Sequence, residues 1–454
     1  MDEALRLQQR GETAAAAGLY LDVLAVGPAT HDALHMLGVI ELASGHPRDA
    51  ECLIREAMAL RPPYAAIVNN LKLAVDAARS QADHDGQQGF GPRLRALLAP
   101  AIADPAARLA AAGEAAPTGR AALADTLCMD VFEQSLYPCD DEGDHWFAGR
   151  LAQLFPSRIR LRPATDGSAG RRRASRVAPA GAAASGPSTL PPRTPVMIVG
   201  ATSDTGLRLD ALQPERIIVL CTSGAMGSYA AMIRRLHAAT GARIELAFRS
   251  TAVRERFALP GHVVIPPVEL SEGRGKVPGA KRSTADPFVV GYVAPREESV
   301  VPPSRPELWR ALSESGVRVR LRGANRLRQA LGAARGIEIR SRHRESLASF
   351  LADLDCLVYE VWRPEEEGWG IELFTAMALG IPVLCSTRSC YAVYVSHGRQ
   401  GFVSRDDGDV LRIVAELRNS TELVARTGAA GRVFATAELS VESLRRGYRC
   451  LMGP

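Results

Sequence analysis

Lysine is nearly missing from this chain of 454 residues: Lys72, Lys276 and Lys281 are the only three among 55 basic residues. Arginine therefore carries the positive charge, and with the abundant alanine this reads as genome bias rather than function. The net charge of +5 is too small to mark a nucleic-acid partner. Long apolar runs are also absent, since no uncharged stretch reaches the ~18–20 residues of a membrane span. The opening Met-Asp-Glu-Ala-Leu-Arg has no basic flank with an apolar core and no twin-arginine signal. Eight cysteines form no Cys-x-x-Cys pair and no zinc-ligand spacing, which points to reduced thiols in a cytoplasm and to no metal site. With 46% hydrophobic and 23% charged residues, a collagen-like, disordered or disulfide-stapled chain is excluded.

What is present begins with a 34-residue period in which Ala16, Tyr20, Val23 and Pro28 recur as Ala50, Ile54, Ala57 and Pro62. Leu34, Leu37 and Gly38 precede the break at Gly45-His46-Pro47 in the second copy. Small residues let two antiparallel helices approach, larger ones fill between them, and proline closes the unit. The first copy reads as shortened in its leading helix, and residues 64–78 read as the start of a third unit. Residues 31–62 resemble a tetratricopeptide repeat. That resemblance implies a groove for a protein or complex-bound acceptor, with Asn70 as the candidate partner-binding residue. The bland alternative is a helical cap on the next domain.

Residues 86–163 read as a helical connecting region. Its acidic run at 140–142 is a solvated loop in preference to an ion site. Residues 164–194 collapse to Ala, Gly, Ser, Pro and Arg, the composition of a linker, with Arg171-Arg172-Arg173 as a solvated charge run. Over 195–285, strand patterns at 195–200, 216–221, 243–248 and 262–265 alternate with helix, which predicts a short parallel sheet. Gly224 and Gly227 sit between a strand and a helix. Gly224 is a candidate substrate contact there, with tight packing as the alternative.

From 286 to 454 the alternation restarts, with strands at 288–293, 317–321, 336–340, 356–359 and 382–385 and a helix over 371–379. Two glycines, Gly368 and Gly370, stand where that helix opens, so its unpaired N–H groups and partial positive charge face whatever binds. The run Glu367-Gly368-Trp369-Gly370, Ala376-Met377, Gly380, Pro382-Val383, Ser386 and then Gly398 with Gly401 resembles the retaining nucleotide-sugar glycosyltransferases of family 4.

This resemblance implies an α/β, GT-B-like pair of Rossmann-type domains, preceded here by the all-α tetratricopeptide-like region at 1–85. It implies sugar transfer from a UDP- or GDP-linked donor as co-substrate, with no cofactor and no required metal. Glu367 would position the donor sugar, Gly368 and Gly370 the phosphates, and Glu372 or Thr375 the ribose. Arg296 would balance the diphosphate charge, with Arg322 as a stand-in. The departures are specific: the family's second glutamate is Thr375, its lysine is Val300, and its Gly-Gly loop is Ser389-Cys390. They keep open an alternative, a catalytically inactive GT-B pseudoenzyme that scaffolds protein partners.

Overall fold

A computed structural model describes residues 1–26, 30–60, 64–80, 98–103, 129–133, 144–155, 159–163, 195–200, 214, 216–268, 287–294, 305–325, 327–332, 334–342, 345–361 and 367–452. The chain divides into two compact units: unit 1 is residues 1–264 with 449–454, and unit 2 is residues 265–448. The expected linker at 164–194, the acidic run at 140–142 and Arg296 lie outside the described residues.

Unit 1 opens with helices Asp2–Gln9, Thr13–Val26, Thr30–Ala43, Pro47–Leu60 and Ala65–Ser80. Five of the repeated positions pack, for Ala16, Tyr20, Ala50, Ile54 and Ala57 are all fully buried, while Val23 is half-buried. Gly38 explains the close approach. A Cβ there would stand 2.6 Å from Ile54 Cγ1 and 3.1 Å from the Ala50 carbonyl, so only glycine lets the two helices meet. The leading helix Asp2–Gln9 has 8 residues against 14 in Thr30–Ala43.

The unit 1 sheet contains β1 (Met129–Glu133), β2 (Ile159–Pro163), β3 (Val196–Val199), β4 (Ile217–Cys221), β5 (Ile244–Phe248) and β6 (His262–Val263). All are parallel, in the order β2-β1-β3-β4-β5-β6. β3, β4 and β5 are buried on both faces, as the uninterrupted apolar runs of β3 and β4 require; β5 carries Glu245 within its run. The expectation of helix throughout 86–163 is corrected by β1 and β2, which place the start of this sheet at residue 129. Each is five residues with charge mixed in, Met-Asp-Val-Phe-Glu and Ile-Arg-Leu-Arg-Pro. Such a segment becomes a strand through pairing with distant β3, not through its own pattern.

One buried cluster runs from the N-terminal helices through the helix Met226–Thr240 to β3, β4 and β5. The helical region and this sheet therefore share a core. Arg216 adds a polar tie: it holds the buried carboxylate of Glu245 at 2.7 and 2.6 Å and donates to the Leu451 carbonyl at 2.6 Å.

Unit 2 contains β7 (Val289–Val293), β8 (Arg318–Arg322), β9 (Ile337–Arg340), β10 (Cys356–Tyr359), β11 (Val383–Ser386) and β12 (Phe402–Ser404). They are parallel in the order β12-β11-β10-β7-β8-β9. Chain order reverses between β7 and β10. That is the switch point where a doubly wound sheet opens a crevice at its strand C-termini. Among the described residues, no helix is long and apolar enough to cross a membrane.

Candidate functional site

The C-terminal ends of β7 and β10 define the site in unit 2. Leaving β10, the chain passes Glu367 and Gly368, turns at Gly370 and enters the helix Ile371–Leu379. Gly370 is the N-cap, with φ of +63°, and it provides no side-chain cap. A Cβ at Gly370 would stand 2.7 Å from the Tyr391 ring, so sterics and backbone conformation both demand glycine. Gly368 is exposed, with nothing within 4 Å of a would-be Cβ, which leaves room for a ligand's approach.

Glu367 is 4% exposed. Its Oε1 accepts from Ser389 Oγ at 2.5 Å and its Oε2 from the Cys390 amide at 2.7 Å. Burial pushes its carboxyl pKa up, while hydrogen bonds from Cys390, Ser389 and Tyr359 pull back against that rise. A carboxylate offers about four lone-pair directions, so the protein itself takes most of the acceptor capacity expected to face a sugar. The same loop closes on the turn from the other side: Tyr391 Oη donates to the Gly368 carbonyl at 2.9 Å, and the Tyr391 amide donates to Ser389 Oγ at 3.0 Å.

Glu372, in the first turn of the helix, joins Glu367 around Tyr359, where burial first and then the two carboxylates push the phenol well above its ordinary value. Thr375 is half-buried one turn further along. Across the switch point, Tyr292 at the end of β7 is raised by burial and then by Glu360, with Arg342, Glu372 and Arg305 also acting on it. Arg305 pairs with Glu360 at 2.7 Å and also with Asp407.

Arg322 is 6% exposed, and its Nη2 donates to the carbonyls of Arg342 and Glu345 at 3.2 and 3.3 Å. The expected stand-in for a diphosphate cation is thus a strut under the loop that follows β9. Arg342, on that loop, lies over Gly323, where a Cβ would stand 2.6 Å from its Nε. Sequence reasoning passed over Arg342, although a residue two positions beyond a parallel strand's C-terminus is where such chemistry collects. It also passed over Tyr391, and it noted Ser389 only as part of the departure from the family's Gly-Gly loop, not as a partner of Glu367.

The remaining predicted residues lie in unit 1. Asn70 Nδ2 meets His35 Nε2 at 3.0 Å, and Tyr64 Oη meets His35 Nδ1 at 2.7 Å. The half-buried amide expected to face a partner thus bonds His35 through its Nδ2. Gly224 is buried, and its carbonyl accepts from Arg256 Nε at 3.4 Å. Its turn packs beneath the N-terminal helices, since a Cβ on Gly227 would stand 2.3 Å from Leu34 Cδ2. Close packing, the alternative held open for this turn, is what these contacts describe.

Residues 305–420 match the family model described as Glycosyl transferases group 1. The chain is similar to the Anabaena protein HepE, solved in complex with UDP, at 14% identity and TM-score 0.50, over 70% of this chain and 98% of that one. It is similar to a glycosyltransferase from Rickettsia africae at 10% identity and TM-score 0.50, over 72% and 100%. A Thermobaculum terrenum O-GlcNAc transferase mutant aligns over 99% of this chain and 96% of that one, at 17% identity and TM-score 0.45. No curated protein is matched by the sequence. The pair of parallel sheets with flanking helices resembles the GT-B glycosyltransferase fold.

Proposed function

We propose that the protein transfers a sugar, with retention, from a UDP- or GDP-linked donor to an acceptor brought by the N-terminal helices. The observation that carries this is the uncapped helix start at Gly370-Ile371, set at the switch point of a sheet whose residues 305–420 match a glycosyltransferase model. A diphosphate there meets helix N–H groups and a partial positive charge. Arg342, held by Arg322, supplies a second positive centre, which supports leaving-group stabilisation. Glu372 and Thr375 are the candidates for the ribose hydroxyls. Arg296 remains a candidate counter-charge. Glu367 sets the shape of the turn and offers the donor sugar whatever acceptor capacity Ser389, Cys390 and Tyr359 leave.

One observation favours a second reading, a GT-B scaffold without catalysis: the protein's own donors occupy both oxygens of Glu367. Calorimetric titration with UDP-, GDP- and ADP-sugars separates the two. The transferase reading expects one donor class to bind, Arg342→Ala to weaken that binding roughly tenfold, at ~1.4 kcal/mol per factor of ten, and Glu367→Ala to abolish turnover. Silence across the whole panel would leave the scaffold standing.

A further inference from the structure

The turn between β4 and the 15-residue helix Met226–Thr240 has the parts of an anion seat: a strand C-terminus, two glycines and a helix start without a side-chain cap from its own N-cap residue. What fills it comes from the N-terminal helices. Glu56, on Pro47–Leu60, accepts at Oε2 from the Ser228 amide at 2.8 Å and from Ser228 Oγ at 2.9 Å. Its Oε1 is sealed from solvent and has no hydrogen-bond partner. Gly227 makes room, because a Cβ there would stand 3.1 Å from Glu56 Oε2 and 2.3 Å from Leu34 Cδ2. The charged group that acts on the carboxyl is Arg256, from the helix Thr251–Phe257; Asp49 lies two turns earlier on Glu56's own helix. These two pair with each other at 3.0 Å. The helix Met226–Thr240 faces Glu56 with Ser228, and Thr30–Ala43 faces the same place with Leu34.

We propose that Glu56 is a docking key: its carboxyl group fills, from within the chain, the anion seat of the 224–228 turn, so that this turn grips the helical repeats and is closed to a phosphate-bearing ligand. A carboxylate substitutes for phosphate at a helix N-terminus because both present oxygens to the same N–H groups. The remaining oxygen makes the key sensitive to protons. An ionised Glu56 leaves Oε1 buried without a donor, a cost the neutral acid largely avoids. Burial accordingly pushes the carboxyl from 4.5 to about 7, against the Ser228 hydrogen bonds and Arg256. Its folded value lies above its unfolded one. The stability it contributes is therefore complete below about pH 4.5 and is lost as pH rises through about 7. Unit 1 then offers the repeats as its recognition surface, and phosphate contacts fall to unit 2.

Hydrogen exchange of amides 226–229 in the full-length protein, corrected for intrinsic rates, tests this on both sides of neutrality, with and without inorganic phosphate. In the natural protein, protection should fall as pH rises, and phosphate should add none. Glu56→Gln keeps the shape without the charge, so its protection should stay level with pH. Glu56→Ala should lose protection at every pH and regain it with phosphate. The proposal is overturned if phosphate protects the natural protein as well as the alanine variant, if it fails to protect that variant, or if natural and Gln proteins share one pH course. Should Glu56→Ala not fold, the comparison of natural and Gln proteins decides alone.

Discussion

At the scale of single residues, the contact that organises the candidate site is the one between Glu367 and the Ser389-Cys390 step. A hydrogen bond to a buried carboxylate contributes about 1.5–3 kcal/mol, and Ser389→Ala removes one. Denaturant unfolding should show a loss of that size. Carboxyl NMR should show the Glu367 pKa, already raised by burial, moving further up, because a donor to the charged form has gone. A raised carboxyl means that acid favours the folded state at this position, so the variant's deficit should shrink as pH falls through the Glu367 range. An unchanged pKa would show that Ser389 does not support the charge. Glu367 itself was legible from sequence, since its spacing to Gly368 and Gly370 is local. Ser389 was not: its partner lies 22 residues away, and nothing in a serine's neighbourhood announces which carboxylate it will meet.

At the scale of elements, glycine behaves in opposite ways within one helical layer. Gly18 is exposed, with nothing near a would-be Cβ, so Gly18→Ala should stabilise by ~0.5–1 kcal/mol through helix propensity alone. Gly38→Ala drives a methyl into Ile54 and the Ala50 carbonyl and should destabilise by about 1–3 kcal/mol through overpacking. Matched thermal melts distinguish them; equal shifts would mean that the helices do not meet at Gly38. Gly370→Ala should cost about 1–3 kcal/mol through its positive φ, with the Tyr391 contact adding to it. Strands made of apolar runs, such as β4 and β10, were readable because both faces are buried. β1 and β2 were not, because mixed charge in five residues leaves no periodicity to follow.

Over the whole molecule, the N-terminal helices and the first sheet are one folding body, with a common core and the buried Arg216–Glu245 pair at its base. Arg216→Ala would strand the Glu245 carboxylate and release the Leu451 carbonyl. The expected loss is about 3–5 kcal/mol, as for other buried pairs deprived of one partner. Calorimetry should place that loss in the transition of unit 1 and leave unit 2 unmoved. A loss shared equally by both transitions would show that the 449–454 segment does more than join unit 1.

The sequence by itself determined the N-terminal helices, the alternation of strand and helix, and the glycines at the mouth of Ile371–Leu379. Each depends on neighbours a few residues apart, where backbone geometry dictates the spacing of side chains. Only the tertiary structure decided what the polar groups do. It turned Arg322 into a strut, brought Arg342 forward, spent Asn70 on His35 and placed Glu56 in the turn of Gly224. Burial and pairing set the role of a charge, and both arise from chain segments that meet only after folding.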